Sequence, residues 1–490
     1  MIKDILMCKT LCRGIFILTG CFLWIGTPEH THAACTTTGA DFNAAYNHYG
    51  GYFNSSNYPN VRAFAAMKSD GSIAAWGDSN YGGTGEPTDT GYTQIYTNRY
   101  AFAAMKSDGS ITAWGDSTYG GSGEPTDTGY IQIYSNYGAF AALKPDGSIA
   151  AWGSSSHGGS GAPTDTGYTH IYSNRRAFAA LKPDGSITAW GDNARGGTGE
   201  PTDTGYTQIY STQYAFAALK PDGSIAAWGD STYGGSGEPT DTGYIQIYSN
   251  YGAFAAIKPD GSITAWGNSS YGSTGEPVDS GYTQIYSTES AFAAMKSDGS
   301  ITAWGSSFGG TGEPNDTGYI QIYTNRGAFA ALKPDGSITT WGDGGHGGTG
   351  EPNDTGYTQI YSSVFAFAAL KPDGSIAAWG DSTYGGSGAP TDAGYTQIYS
   401  TAGAFAALEP DGTITAWGSS ANGGTGAPTD TGYTIPYGTT CTRNTAGENL
   451  TVDITSVLTM DCYDTADNDG TVQLGTVTAG TPVTGQSICT

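Results

Sequence analysis

Apolar and polar positions along this chain fall into short alternating runs, and the runs repeat. Ala101-Phe102-Ala103-Ala104-Met105 and Ser110-Ile111-Thr112-Ala113-Trp114 predict two strands, joined by Lys106-Ser107-Asp108-Gly109. In other copies the joint is Lys-Pro-Asp-Gly, as from Lys144 to Gly147. This is hairpin chemistry: proline presets the first corner, aspartate suits the second, and Gly147 supplies a positive φ. A further strand is predicted from Tyr130 to Tyr134. Strict alternation there puts Tyr130, Gln132 and Tyr134 on one face, with Ile131 and Ile133 on the other. Apolar residues at helical spacing are absent. The same pattern recurs with a period of 38, with one step of 37, marked by tryptophans from Trp76 to Trp417. Ten units fill residues 63–437.

A three-stranded sheet of this size does not hold alone, so neighbouring sheets must stack. The alanines permit close approach, with Phe102, Ile111 and Trp114 as fillers between sheets. The expected fold is all-β: a β-propeller-like tandem array of ten three-stranded units, with an open β-solenoid as the alternative, plus a small disulfide-linked β tail. The ends favour closure. Residues 63–76 form a hairpin preceded only by a degenerate lead-in, residues 35–62, whereas Tyr433-Thr434-Ile435-Pro436-Tyr437 is a further strand with no hairpin after it. Pairing the two would complete the first sheet.

Composition adds the setting. Gly is 77 of 490 residues, which fits frequent turns, and 38% hydrophobic residues are enough for a packed interior. Lys3, Lys9 and Arg13 precede an apolar stretch from Ile15 to Ile25 and then Ala33-Ala34, which reads as a signal peptide over residues 1–34. Leu18-Thr19-Gly20-Cys21 offers a competing lipobox, with a lipid anchor on Cys21. No transmembrane span is expected. Cleavage near Ala34 leaves Cys35, Cys441, Cys462 and Cys489, an even number that suggests two disulfides. Three pairings are open. Cys35 and Cys441 flank the predicted seam, which favours joining them and joining Cys462 to Cys489; a bond closing so long a loop contributes about 4 to 5 kcal/mol. The formal net charge of −25 argues against nucleic-acid and anionic-membrane partners.

Ala-Phe-Ala-Ala-Leu-Lys-x-Asp-Gly-Ser-Ile-x-x-Trp-Gly-Asp, followed by Tyr-Gly-Gly-Ser-Gly, resembles the regulator of chromosome condensation (RCC1-like) repeat in a short, exported bacterial form. Asp108-Gly109, Trp114-Gly115 and Gly120-Gly121-Ser122-Gly123 carry the likeness, together with their copies over about three quarters of the chain. The resemblance implies a propeller used as a platform for macromolecular partners. The founding member's nucleotide-exchange activity is not expected here, because the units are shorter and no inserted loop is present.

Candidate sites follow from the repetition. The paired tyrosines Tyr92 and Tyr96, Tyr130 and Tyr134, and Tyr168 and Tyr172 offer rings for sugar stacking or for anchoring a protein, with packing between sheets as the competing role. Glu86 with Asp89, and Glu124 with Asp127, offer oxygens to calcium, with turn formation as the competing role. His48, His157, His170 and His346 are isolated departures from their units, and Arg175-Arg176 with Arg195 form a local basic exception. No nucleophile, base and orienter recur, so no catalytic residue is assigned and no enzyme is expected. Residues 438–490 read as a Cys-containing β appendage, alternating through Leu450-Thr451-Val452-Asp453-Ile454. The expected role is a noncatalytic, secreted or extracellular scaffold for protein binding or adhesion, with a periplasmic location as the alternative. A carbohydrate-binding module using the tyrosines is a second reading, and a secreted effector of a small GTPase a third.

Overall fold

In the computed structural model the strand Gln132–Ser135 pairs antiparallel with Ala139–Leu143, which pairs antiparallel with Ile149–Gly153. We call these the leading, central and trailing strands. The structure describes residues 60, 62–67 and 70–427, together with short strands within 16–23 and 440–477. Among the described residues nine sheets share this order, and Ala63–Met67 with Ile73–Gly77 forms a tenth, two-stranded hairpin. The leading strand thus precedes its hairpin in the chain. The closing strand predicted at Tyr433 to Tyr437 lies outside the described residues, as do the side chains of Cys35, Cys441, Cys462 and Cys489 and most of residues 1–34.

The hairpin turns form as their chemistry dictates. Gly147 takes φ +78°, and a Cβ placed there would lie 2.2 Å from the backbone nitrogen of Tyr168. Asp146 Oδ1 accepts from the Ser148 amide at 2.9 Å and from its hydroxyl at 2.7 Å. After every trailing strand but Ile301–Gly305 a short 3-10 turn follows, such as Ser117–Tyr119, with Asp116 accepting from the Thr118 amide.

The interior lies between sheets. Tyr96, Ala101, Ala103, Met105 and Ile111 of one sheet meet Tyr130, Ile133, Phe140, Ala142 and Trp152 of the next. Phe140 stacks on Trp152 within its sheet at 5.1 Å, and Trp152 Nε1 donates to Gly120 O at 3.1 Å, in the loop belonging to the sheet before. The same backward bond runs from Trp114 through to Trp417. Burying each Phe or Trp contributes about 1.5–3 kcal/mol, which a single sheet has no surface to collect. A second seam joins neighbours along the leading strands, where Ser173 Oγ donates to Ser135 O at 2.9 Å and Ser211 Oγ to Ser173 O at 2.8 Å.

The leading strand departs from strict alternation. In Tyr92–Thr97 the register against the central strand shifts between Tyr92 and Gln94, so one extra residue turns the strand over. Tyr92 and Ile95 face the preceding sheet, whereas Tyr96 faces the following one. The expectation that both tyrosines share a face is therefore corrected by this bulge.

The chain divides into two compact units, residues 42–433 and the set 1–41 with 434–490. Within the first, the turns between leading and central strands converge. Val364 packs against Tyr137 and Tyr251, from units six and three periods away, so the stack curves about an axis rather than running straight. Successive turns are also tied by backbone bonds: Arg175 N to Gln213 O at 3.1 Å, Gln213 N to Tyr251 O at 3.0 Å, and Glu289 N to Arg326 O at 2.9 Å. Within the second unit, Thr440–Arg443 pairs with Leu450–Asp453, and Leu458–Tyr463 with Thr471–Val477, each antiparallel.

Candidate functional site

Each sheet has two ends, and the two are built differently. At one end lie the hairpin turns and the loops entering the leading strands. Lysine follows the central strand, and in each of eight units it bonds an aspartate of that loop: Lys106 to Asp89 at 2.5 Å, Lys182 to Asp165 at 2.5 Å, and likewise through Lys371 to Asp354. The same aspartate accepts from a tyrosine, as Asp89 does from Tyr92 Oη at 2.9 Å, and the ammonium sits over that ring at 4.8 Å. The hydrogen bonds from Lys106 and Tyr92 hold the Asp89 carboxyl below its usual range, while burial pushes the Tyr92 phenol up. This end is nearly the same in every unit.

The opposite end is where the units differ. It carries the last residue of the 3-10 turn and the two residues between leading and central strands. The first position holds Tyr, His, Arg, Phe or Asn, as at Tyr119, His157, Arg195, Phe308 and Asn422. The second holds Arg, Tyr, Gln, Glu, Val or Ala, as at Arg99, Tyr137, Gln213, Glu289, Val364 and Ala402. The third holds Tyr, Gly, Arg, Ser or Phe, as at Tyr100, Gly138, Arg176, Ser290 and Phe365. Elsewhere the period varies less, although Glu124 is replaced by Ala162, Thr93 by Ile131, Gln132 by His170 and Lys371 by Glu409. Among the described residues between 62 and 427, every arginine stands at one of these three positions and every lysine at the other end.

A buried clamp brings the three positions together. Asn136 Nδ2 donates to His157 O at 2.6 Å, and its Oδ1 accepts from Gly138 N at 3.1 Å and Ala139 N at 3.0 Å. Asn98, Asn174, Asn250 and Asn325 likewise donate to the carbonyl that ends the 3-10 turn and accept from the two amides that open the central strand. Each clamp sets the residue that ends a sheet's 3-10 turn beside the turn between that sheet's own leading and central strands.

The resulting side chains form a continuous arc over the first five units. Tyr100 stacks on Tyr119 at 4.3 Å and bonds Tyr137 hydroxyl to hydroxyl at 2.9 Å. The guanidinium of Arg175 lies 4.1 Å over Tyr137, that of Arg99 5.0 Å from the same ring, and Arg195 4.2 Å over Tyr214. His157 stacks on Tyr137 at 5.7 Å. Burial first, then the charges of Arg176 and Arg175, pull the His157 imidazole down to about 4, so it is neutral at pH 7. Where the third position is glycine it makes room: a Cβ on Gly138 would lie 2.6 Å from Tyr119. Further along, Glu289 pairs with Arg326, and Phe365 packs between His346 and Tyr384. The one shortened unit exposes Phe308 by 53%.

The residues singled out from sequence fall elsewhere. Tyr92, Tyr96, Tyr130 and Tyr168 are buried, and Tyr134 and Tyr172 are half-buried against the neighbouring sheet. Their rings pack in the space between sheets, the competing role foreseen for them. Glu86 Oε1 accepts from Ala75 N at 3.3 Å and Glu124 Oε1 from Ala113 N at 3.2 Å, whereas Asp89 and Asp127 are held by Lys106 and Lys144. Among the described residues no three His, Cys, Asp or Glu side chains converge to hold a metal. Nor does any helix among them have the length and apolarity to cross a membrane. Arg175-Arg176, Arg195 and His157, by contrast, are brought together.

No family model matches the chain, and no curated protein matches it. Solved structures do. They include the ectodomain of the Physcomitrella patens receptor kinase CR4, at 15% identity over 53% of this chain and 72% of that one, with a TM-score of 0.34. Prp20p (RCC1) from Saccharomyces cerevisiae, described with its binding properties to Gsp1p and histones, is 15% identical over 70% of this chain and 86% of its own, with a TM-score of 0.33. BamB from Moraxella catarrhalis is 14% identical over 66% and 93%, with a TM-score of 0.29. At such scores the propeller-like assignment rests on this chain's own strand order and inter-sheet packing.

Proposed function

We propose that the protein is an exported, noncatalytic scaffold that binds a protein partner or adheres at the cell exterior. The observation that carries this reading is the division of labour within the period: the residues that build the frame are nearly constant, and the most diverse ones are collected on one rim. A frame that repeats its interior and varies a single rim is the economy expected of recognition. Near-identical acid and lysine pairs serve the frame, not a tuned acid and base. The resemblance to an exported repeat form and the basic, apolar start of the chain support export.

The test is binding of the full chain to intact cells stripped either by protease or by periodate. Loss after protease alone is the expected result. Loss after periodate alone assigns the partner to a glycan and overturns the reading. For export, a reporter fused behind residues 1–34 is expected outside the cytoplasm, and retention inside overturns that part.

A further inference from the structure

The variable rim also holds a reactive pair. Tyr100 lies in the turn before one central strand and Tyr137 in the turn before the next. The Tyr100 hydroxyl donates to that of Tyr137 at 2.9 Å, and the ring centroids stand 5.4 Å apart. When two tyrosines couple oxidatively, the carbons ortho to oxygen join, and the two oxygens end up flanking the new bond. Phenols that already touch through their oxygens, with their rings this close, have the sidedness of that product. Both are held by built turns: the Tyr100 amide donates to Asn98 Oδ1 at 2.9 Å, and the Gly138 amide, next to Tyr137, to Asn136 Oδ1 at 3.1 Å. Reactants fixed in this way couple within one chain in preference to between chains.

The surroundings direct oxidation to the same pair. The Arg175 and Arg99 guanidiniums lie 4.1 and 5.0 Å from the centre of the Tyr137 ring. Burial raises the Tyr137 phenol, but the bond from Tyr100 and the two cations outweigh it and hold the phenol below its ordinary value, which eases loss of its proton together with an electron. The Tyr100 ring stacks on Tyr119 at 4.3 Å and lies 5.2 Å from Tyr81, so an electron lost from either neighbour can be made good from Tyr100.

We infer that Tyr100 and Tyr137 are a site of oxidative modification, where a haem peroxidase with hydrogen peroxide forms a dityrosine bond that staples two neighbouring sheets. Each phenol gives up one electron and one proton. The two phenoxyl radicals join through their ortho carbons, and each displaced ortho hydrogen returns to a phenol oxygen as the rings regain aromaticity. One hydrogen peroxide takes the two electrons and two protons and leaves as two waters. The inference does not depend on what the rim binds.

The experiment is treatment of the full chain with a haem peroxidase and hydrogen peroxide, followed by dityrosine fluorescence and peptide mapping. A chain lighter by two hydrogens is expected, with Tyr100 joined to Tyr137 and a yield that dilution leaves unchanged. Tyr100→Phe and, separately, Tyr137→Phe keep the rings and should each lower the dityrosine signal by roughly tenfold or more, with thermal melting measured alongside to show the variants folded. Tyr251→Phe alters a pair stacked at 5.3 Å with Tyr271 and should leave the yield unchanged. Dityrosine that maps to other tyrosines, that forms only between chains, or that survives both substitutions at the pair would overturn the inference. So would a treated chain in which Tyr100 and Tyr137 remain unjoined.

Discussion

The two ends of the sheets are made by the same strands, yet one is written nearly alike in most units while the other changes from unit to unit far more. At the constant end a lysine, an aspartate and a tyrosine close the same contact from Lys106 to Lys371. At the variable end the backbone is just as regular, because Asn98, Asn136, Asn174, Asn250 and Asn325 repeat their bonds, but the side chains launched from it do not. Geometric regularity and chemical uniformity are therefore separable. The buried amides and the glycines hold the backbone, which frees the side chains beside them to change.

The largest effects should come from the frame that both ends share. Trp190→Ala removes a buried ring that stacks on Phe178 and bonds Gly158 O at 3.0 Å, and is expected to cost about 3–5 kcal/mol in denaturant unfolding. Gly147→Ala places a side chain at positive φ against backbone and should also destabilise, with no change in surface chemistry. A mild result for either would mean that sheets do not share an interior.

Asn136→Ala comes next. It leaves the amides of Gly138 and Ala139 and the carbonyl of His157 without their clamp, and is expected to cost about 1–3 kcal/mol. Because it loosens the variable end alone, hydrogen exchange should quicken at residues 136–139 and 157 and stay unchanged at the hairpin turn 144–147.

Acid should separate the two ends by pH. His157, facing Arg175, Arg176, Asp192, Tyr119 and Tyr137, has its folded pKa lowered to about 4 from 6.5. The unfolded chain then binds the extra proton first, so this contribution is complete above pH 6.5 and is lost as pH falls toward 4, up to roughly 3 kcal/mol. His157→Asn should flatten unfolding free energy across that window. The aspartates at the other end are depressed from 3.8 by their lysine and tyrosine bonds, so their contribution is present above that value and fades only below it. Coincident loss at both ends would break the distinction.

The smallest effect is expected from Lys220→Ala. Its partner Asp203 is exposed, water and salt screen the pair, and the melting midpoint should scarcely move.

Much of the frame is legible in the residues. Lys-Pro-Asp-Gly dictates the hairpin, Trp and Phe at fixed places dictate the filler, and aspartate before glycine is bonded within its own turn, as Asp146 is. The bulge is not legible, because Tyr92-Thr93-Gln94 reads equally well as plain alternation until its pairing with Lys106 and Met105 is known. The variable rim is legible only by a different comparison. Taken singly, His157, Arg175-Arg176 and Arg195 look like isolated departures. Set in register by the period, they fall at three positions, and the strand order then shows why those positions touch: the trailing strand ends beside the start of the central strand, as Gly153 does beside Ala139.

The backward reach of the tryptophans has a consequence for how the molecule is made. Each indole bonds a loop 32 residues nearer the N-terminus, and each leading strand is synthesised before the hairpin it joins. A sheet emerging during synthesis thus meets a predecessor already made, against which its leading strand and its tryptophan pack.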